Sequence, residues 1–265
     1  MQNMPAMQMH EGGLIFPILA YAMSCTGSAL GLSAMSRARA SEGNARIRWL
    51  SLAAVALGGT GIWVMHFIAM LGFSVSGMQI TYAVPATIAS LVLAIVVVGV
   101  GLAIAVYGRA TMRALVTGGV ITGLGVAGMH YLGMSAVVMA AHVSYNPLIV
   151  LVSVLIAVVA ATVALWAAMN IRGVWATLGA SLVMGIAVSG MHYTGMAAME
   201  MSMAAAPSST GLTGTQLLMP LVAGIGLSTV VMLVIVGLAP SEGELLEQED
   251  IQESLRKLAE RQRQR

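Results

Sequence analysis

The sequence predicts an all-α membrane protein. It has seven transmembrane helices built from three parallel two-helix repeats plus one helix, with the N-terminus outside and the C-terminus cytoplasmic. Three observations predict it. Of 265 residues, 58% are hydrophobic and only 8% charged, against roughly 45–50% and about 25% in ordinary soluble domains. Apolar runs of spanning length occur seven times. Finally, the chain repeats itself at an interval of 62–64 residues. A mean hydropathy of +0.91 agrees that lipid is the natural solvent.

The runs cover approximately Gly13–Met35, Ile47–Gly72, Ala83–Tyr107, Met112–Ala140, Pro147–Met169, Val174–Met199 and Leu217–Ala239. Pro85 and Pro147 sit in first turns, where a missing N–H is harmless. Arg37, Arg39, Arg46 and Arg48 flank the loop after the first run. Arg109 and Arg113 flank the loop after the third, and Arg172 the loop after the fifth. The opposite loops hold neither lysine nor arginine. That asymmetry puts the arginine side in the cytoplasm, with Trp49, Trp166 and Trp175 near the inner interface as an aromatic belt. The first eleven residues carry no positive charge, so the first run reads as a retained signal anchor.

Residues 1–240 therefore form a transmembrane domain and 241–265 a charged cytoplasmic tail. In the tail, Leu245, Ile251, Leu255 and Leu258 fall near helical spacing. It is either a solvated segment or a short amphipathic helix that binds a partner or dimerises. A net charge of +2 and a pI near 8.9, without a long basic stretch, give no case for nucleic acid. The single cysteine, Cys25, excludes an internal disulfide and most simply packs.

The repeat carries the chemistry. Its anchors are Met65-His66-Phe67-Ile68-Ala69-Met70, Met129-His130-Tyr131-Leu132-Gly133-Met134 and Met191-His192-Tyr193-Thr194-Gly195-Met196. Each reads M-H-aromatic-x-small-M. A glycine lies seven residues before every histidine, at Gly59, Gly123 and Gly185. From Arg48, Arg113 and Arg172 the histidines lie 17–20 residues along, about 26–30 Å at helical rise. All three therefore reach the outer boundary at one depth, converging on one axis or lining separate sites. Histidine and the methionine four residues on share a helix face. The glycine two turns deeper would let a neighbouring helix approach. In the third copy the stripe continues through Met199 and Met203.

Methionine follows histidine. Sixteen of the 22 methionines lie at or beyond the outer boundary, together with all five histidines, which include His10 and His142. Core packing would scatter methionine through the bilayer depth instead. Thioether with imidazole is a soft-to-borderline donor set that favours copper; structural zinc usually takes thiolates or a fourth strong ligand. The candidate ligands are Met65, His66 and Met70, Met129, His130 and Met134, and Met191, His192 and Met196. His10, His142, Met199 and Met203 are possible auxiliaries. Met1–His10 reads as a disordered terminus ahead of a copper-collecting arm. Phe67, Tyr131 and Tyr193 read as interfacial anchors, or for the tyrosines as hydrogen-bonding support to the histidines. Glu200 reads as a solvated helix end.

At these motifs the chain resembles the MHYT-domain family of bacterial integral membrane sensors. The literal signature stands at Met191–Thr194, and the first copy departs most, since Phe67 lacks a phenolic hydroxyl. The resemblance implies a sensory domain whose methionines and histidines near the outer face bind copper, and through it sense oxygen, carbon monoxide or nitric oxide. Family members often carry cytoplasmic cyclase, phosphodiesterase or kinase modules. Here 26 residues follow Ala239, so output is expected either to pass through the tail to a separate cytoplasmic signalling partner or to depend on a missing portion.

The leading expectation is a non-enzymatic copper-binding sensor of a diatomic gas or redox state in the bacterial cell membrane, in contact with membrane lipid. The alternatives are a copper carrier or transporter, which needs ligands continuing across the bilayer, and a di-histidine haem protein. No nucleophile–base pair or carboxylate dyad stands in the spans, so an enzyme is the weakest reading.

Overall fold

The computed structural model describes residues 7–8, 13–75, 78–203 and 211–240, with Glu244, Ile251, Ser254 and Glu260 of the tail. Among the described residues, seven helices are long and apolar enough to cross a membrane. They are α1 (Ile15–Arg39), α2 (Gly43–Leu71), α3 (Val84–Tyr107), α4 (Met112–Ser135), α5 (Pro147–Asn170), α6 (Val174–Ala197) and α7 (Gly214–Leu238).

Polar residues at the helix starts fix several boundaries. Thr111 caps α4 by accepting from the Ala114 N–H, and the Asn146 side chain accepts from Leu148 and Ile149 at the start of α5. Thr213 and Gln216 form a capping box on α7. Along the helices the usual amphipathicity is inverted. Val92, Val96 and Val100 on α3, and Leu155, Val159 and Val163 on α5, point outward at helical spacing. Ser28, Thr60, Ser90, Thr122 and Ser153 are buried inside. With lipid outside, small and hydroxyl-bearing residues are what permit close helix contact.

Helices α1 to α6 close a ring in which each packs on the next and α6 returns to α1; α5 also touches α1 and α3. Helix α2 is the most enclosed, with 83% of its most apolar stretch buried. Helix α7 packs against α1 and α2, and only 11% of its stretch is buried. Thus α1, rather than α7, stands between α6 and α2.

Short strands tie one end together. They are β1 (Met7–Gln8), β2 (Ser74–Val75), β3 (Thr81–Tyr82), β4 (Val137–Val138), β5 (Ala141–Tyr145), β6 (Met199–Met203) and β7 (Leu212–Thr213). Antiparallel pairs join β1 to β2, β3 to both β4 and β7, and β5 to β6. The segment before α1 and the connections α2–α3, α4–α5 and α6–α7 therefore share one end. Two further bonds clamp them, Ala83 N–H to Ala136 O and Asn146 N–H to Ala198 O, both 2.8 Å. Strand formation also explains why α4 stops at Ser135 and α6 at Ala197, short of the hydropathy limits: the residues beyond are apolar but extended.

At the opposite end two arginines work as helix caps. Arg37 donates to Val236 O at 2.6 Å and Ala239 O at 3.1 Å, closing the C-terminus of α7. Arg39 donates to Ala168 O and Ile171 O at the end of α5. Cations are favoured at helix C-termini, where carbonyls lack intrahelical partners. In the tail, Ile251 is helical and exposed, whereas Leu245, Leu255 and Leu258 lie outside the described residues.

Candidate metal centre

His66, His130 and His192 each stand five residues before the end of their helix, α2, α4 and α6. Because the strands gather those three ends, the imidazoles meet in one cluster. His66 Nδ1 lies 2.9 Å from His192 Nδ1 and 3.2 Å from His130 Nδ1. The ring centroids are 5.0, 4.9 and 5.2 Å apart, with interplanar angles of 79°, 78° and 86°. All three side chains are fully buried. Among the described residues this is the one group of three or more His, Cys, Asp or Glu side chains close enough to share an ion.

No arrangement of protons satisfies this cluster well. A neutral imidazole has one N–H and one lone pair. A protonated His66 Nδ1 could donate to only one neighbour, and a bare one would have to accept from both with a single lone pair. A cation between them engages all three lone pairs. Ligation at about 2.0–2.1 Å holds imidazole nitrogens about 3.3–3.6 Å apart for tetrahedral or trigonal angles. The observed 2.9 and 3.2 Å contacts need only a few tenths of an ångström of expansion. His66 Nε2 and His130 Nε2 are buried and lack a hydrogen-bond partner among the described residues, a rare condition for buried polar atoms.

The small residue of the motif explains how the rings come so close. A Cβ at Gly133 would fall 2.6 Å from His66 Nε2, and one at Gly195 would collide with His130 Nε2. Each of these imidazoles thus lies against the glycine of the next repeat. Ala69 holds the corresponding place in the first motif. The aromatic after each histidine packs edge-on to it, at 4.6 Å for Phe67, 4.9 Å for Tyr131 and 4.9 Å for Tyr193. Phe67 is fully buried, which corrects its reading as an interfacial anchor. Tyr131 bonds Ser153 Oγ at 2.7 Å, and Trp63 Nε1 donates to Ser90 Oγ at 2.9 Å. These contacts fix the motif helices against α5 and α3.

The methionines Met65, Met70, Met129, Met134, Met191 and Met196 are all buried in the same core, as is Met199. His142 is exposed on β5, paired with Ser202, and stands apart from the cluster. Glu200 is also exposed. Met203 pairs with Ala141 through its backbone; its side chain and His10 lie outside the described residues. Above the cluster Tyr82 is buried and donates to Met70 O at 3.4 Å, and burial pushes its phenol well above the usual range. Tyr145, packed on Tyr131 at 5.5 Å, is raised by burial and by that neighbour.

Two turns deeper, close approach occurs at Gly123, whose Cβ would meet the α5 backbone, and at Gly185, whose Cβ would meet Cys25 Sγ at 2.6 Å. At Gly59 only ordinary contacts lie nearby. There Gly58 makes the approach, 2.6 Å from Ala94 O. The cause is a π-helical stretch, Val55–Val64, within α2. Its wider turns shift the buried face by one residue, so the close glycine stands eight residues before His66 rather than seven.

The sequence profile of the MHYT family, described as a bacterial signalling protein N-terminal repeat, matches residues 59–118, 123–181 and 185–246. The chain belongs to the MHYT family. Each of the three matches contains one of the clustered histidines. Among MHYT-containing relatives, the chain is 39% identical over 174 residues to the bifunctional diguanylate cyclase/cyclic di-GMP phosphodiesterase MucR of Pseudomonas aeruginosa, covering 64% of this chain and 25% of that protein. It is 34% identical over 193 residues to the cyclic di-GMP phosphodiesterase NbdA of the same organism, covering 71% and 24%. The signaling protein YkoW of Bacillus subtilis is 31% identical over 192 residues, covering 68% and 23%. The chain thus matches about a quarter of the length of these relatives. No solved structure matches it. With seven apolar helices, it is a multi-pass MHYT signalling domain of the kind found in membrane signalling proteins.

Proposed function

We propose that the chain is the sensory unit of a bacterial membrane signalling system and holds one copper ion among His66, His130 and His192. The observation that carries this reading is the convergence of three Nδ1 atoms in a buried site. Every donor at hand is neutral, imidazole or buried thioether. Because the cost of burying an ion grows with the square of its charge, a monovalent ion suits such a site far better than a divalent one. Soft donors and low charge together favour Cu(I). Met70, Met134 and Met196, one turn beyond their histidines and on the same helix face, are thioether candidates, as are Met65, Met129 and Met191 directly before them.

Bound there, copper would supply a one-electron couple and an affinity for diatomic gases, so the sensed quantity is a gas such as O2, CO or NO, or redox state. The chain's own part is to hold three imidazoles in one buried cluster and to transmit any change in their spacing along α2, α4 and α6. The arginine asymmetry supports parallel motif helices with the cluster toward the outer face and the C-terminus in the cytoplasm. A signalling partner would then meet the chain through residues 241–265. The names of the relatives, with their cyclic di-GMP activities, support a cyclic-nucleotide output.

The other metal readings lose ground. Nitrogens 2.9 and 3.2 Å apart leave no room for a porphyrin between them. A transport track would need donors deeper in the bilayer, but Ile62, Val126 and Val188 stand one turn below the histidines. Metal analysis of the purified chain after Cu(I) loading tests the proposal. It predicts one copper per chain, lost in the H66A/H130A/H192A variant; equal copper in both would refute it.

A further inference from the structure

Beneath the imidazole cluster the six-helix ring encloses a cavity of about 60 Å³. Its lining includes Ile62, Val126 and Val188, each four residues before a motif histidine. One apolar side chain from each motif helix therefore separates the cavity from the cluster. A water molecule needs about 10–15 Å³ of such space and two to four polar partners. The cavity has room for about four, yet its wall is almost wholly apolar. Two hydroxyls line it, those of Ser28 and Thr122, and that of Thr122 is already donated to Val97 O. Such a space stays dry and takes apolar guests.

On one side the cavity shares its wall with the outer surface. Ala160, Met184 and Ala187 line it and at the same time line a groove of about 450 Å³ between α5 and α6. The groove's other walls include Leu155, Val159 and Val183, all exposed on the lipid-facing surface. Two alanines and one flexible methionine are thus all that separates the bilayer from the cavity at this point. Leu102 and Leu165, on α3 and α5, are buried side chains of the cavity wall.

We infer that the cavity is a docking site for a small uncharged apolar molecule of gas size, which enters from the bilayer between α5 and α6. From there it reaches the imidazole cluster past Ile62, Val126 and Val188. Apolar solutes partition out of water, so the lipid is the richer reservoir, and a lateral door draws on it. The water-facing end above the cluster is instead covered by the paired strands and by buried Tyr82. Entry and docking depend only on the cavity and the groove. The final step alone rests on the metal reading.

Xenon is the probe, and the full chain in lipid nanodiscs without metal is the sample, so failure of the copper proposal leaves the result untouched. Saturation-transfer 129Xe NMR reads both occupancy and the rate of exchange with the bilayer. The expected result is one saturable protein-bound xenon signal. Ala161→Phe, which fills the cavity, abolishes it. Ala160→Leu with Ala187→Leu, at half-buried positions that tolerate bulk, slows exchange at least fivefold. Gly190→Leu, on the exposed face of α6 with nothing near its Cβ position, leaves both unchanged. Absence of a saturable signal in the wild type, its survival in Ala161→Phe, or unchanged exchange in the Ala160/Ala187 double variant would overturn the inference.

Discussion

Gly133→Ala probes the cluster with a single methyl group. The added Cβ would fall 2.6 Å from His66 Nε2, 3.1 Å from its Cδ2 and 3.3 Å from Phe67 Cζ. Relaxed heavy-atom contacts lie at about 3.5–4.0 Å, so the imidazole must move by about 0.9 Å. Phe67 is packed edge-on at 4.6 Å and His66 is fully buried. The ring's room to move is therefore toward the other two histidines, already 2.9 and 3.2 Å away at Nδ1. Metal–ligand distances tolerate about ±0.2 Å, several times less than this displacement. The expected loss in Cu(I) affinity is about 10–100-fold, the range for losing a contact that orients a ligand. Overpacking adds about 1–3 kcal/mol of destabilisation, against about 1 kcal/mol gained by replacing glycine with alanine in a helix. Gly190→Ala keeps that gain without the clash. Competition with a Cu(I) chelator and thermal unfolding of both variants decide. Wild-type affinity in Gly133→Ala, or an equal loss in Gly190→Ala, would refute the packing argument.

Three further outcomes follow from the same structure. Arg37→Met removes the bonds to Val236 O and Ala239 O; at about 1.5–3 kcal/mol for a charge-assisted bond, amide exchange at the end of α7 should rise at least tenfold, and unchanged protection counts against the clamp. An unfolded tyrosine ionises near pH 10, while burial keeps Tyr82 protonated beyond that. The unfolded state then binds fewer protons, so stability falls as pH rises past about 10; Tyr82→Phe should flatten that alkaline limb, and an equally steep fall would exclude Tyr82 as its source. Copper at a hundredfold excess over its dissociation constant should stabilise the wild type by about 2.7 kcal/mol, reversed by a chelator. The H66A/H130A/H192A variant should show no such response in thermal melts.

The sequence made the seven spans legible because hydropathy is set by composition, and most observed boundaries fall within a few residues of the apolar runs. Depth was legible too. Counting from the arginines put the three histidines at one level, and each stands five residues before its helix end. What periodicity leaves open is how helices rotate about one another, which decides between one site and three. The answer lay in the motif's small residue: Gly133 and Gly195 matter because an imidazole of another helix lies against them, a contact invisible within one helix. Gly59 marks a different limit. Its spacing matches Gly123 and Gly185, but the π-helical stretch in α2 hands the close approach to Gly58. Arg37 and Arg39 read as charges that mark a membrane side. That they also cap α7 and α5 depends on which helix ends lie next to α1, a tertiary fact.

X-ray absorption at the copper edge on the loaded chain, with its stoichiometry measured in parallel, reads whether three imidazoles hold one metal ion. The loaded chain should hold one copper and give the scattering signature of three imidazoles at about 2.0 Å, falling to two in His130→Ala. Three coppers per chain, or a copper shell without imidazole, would contradict the proposal.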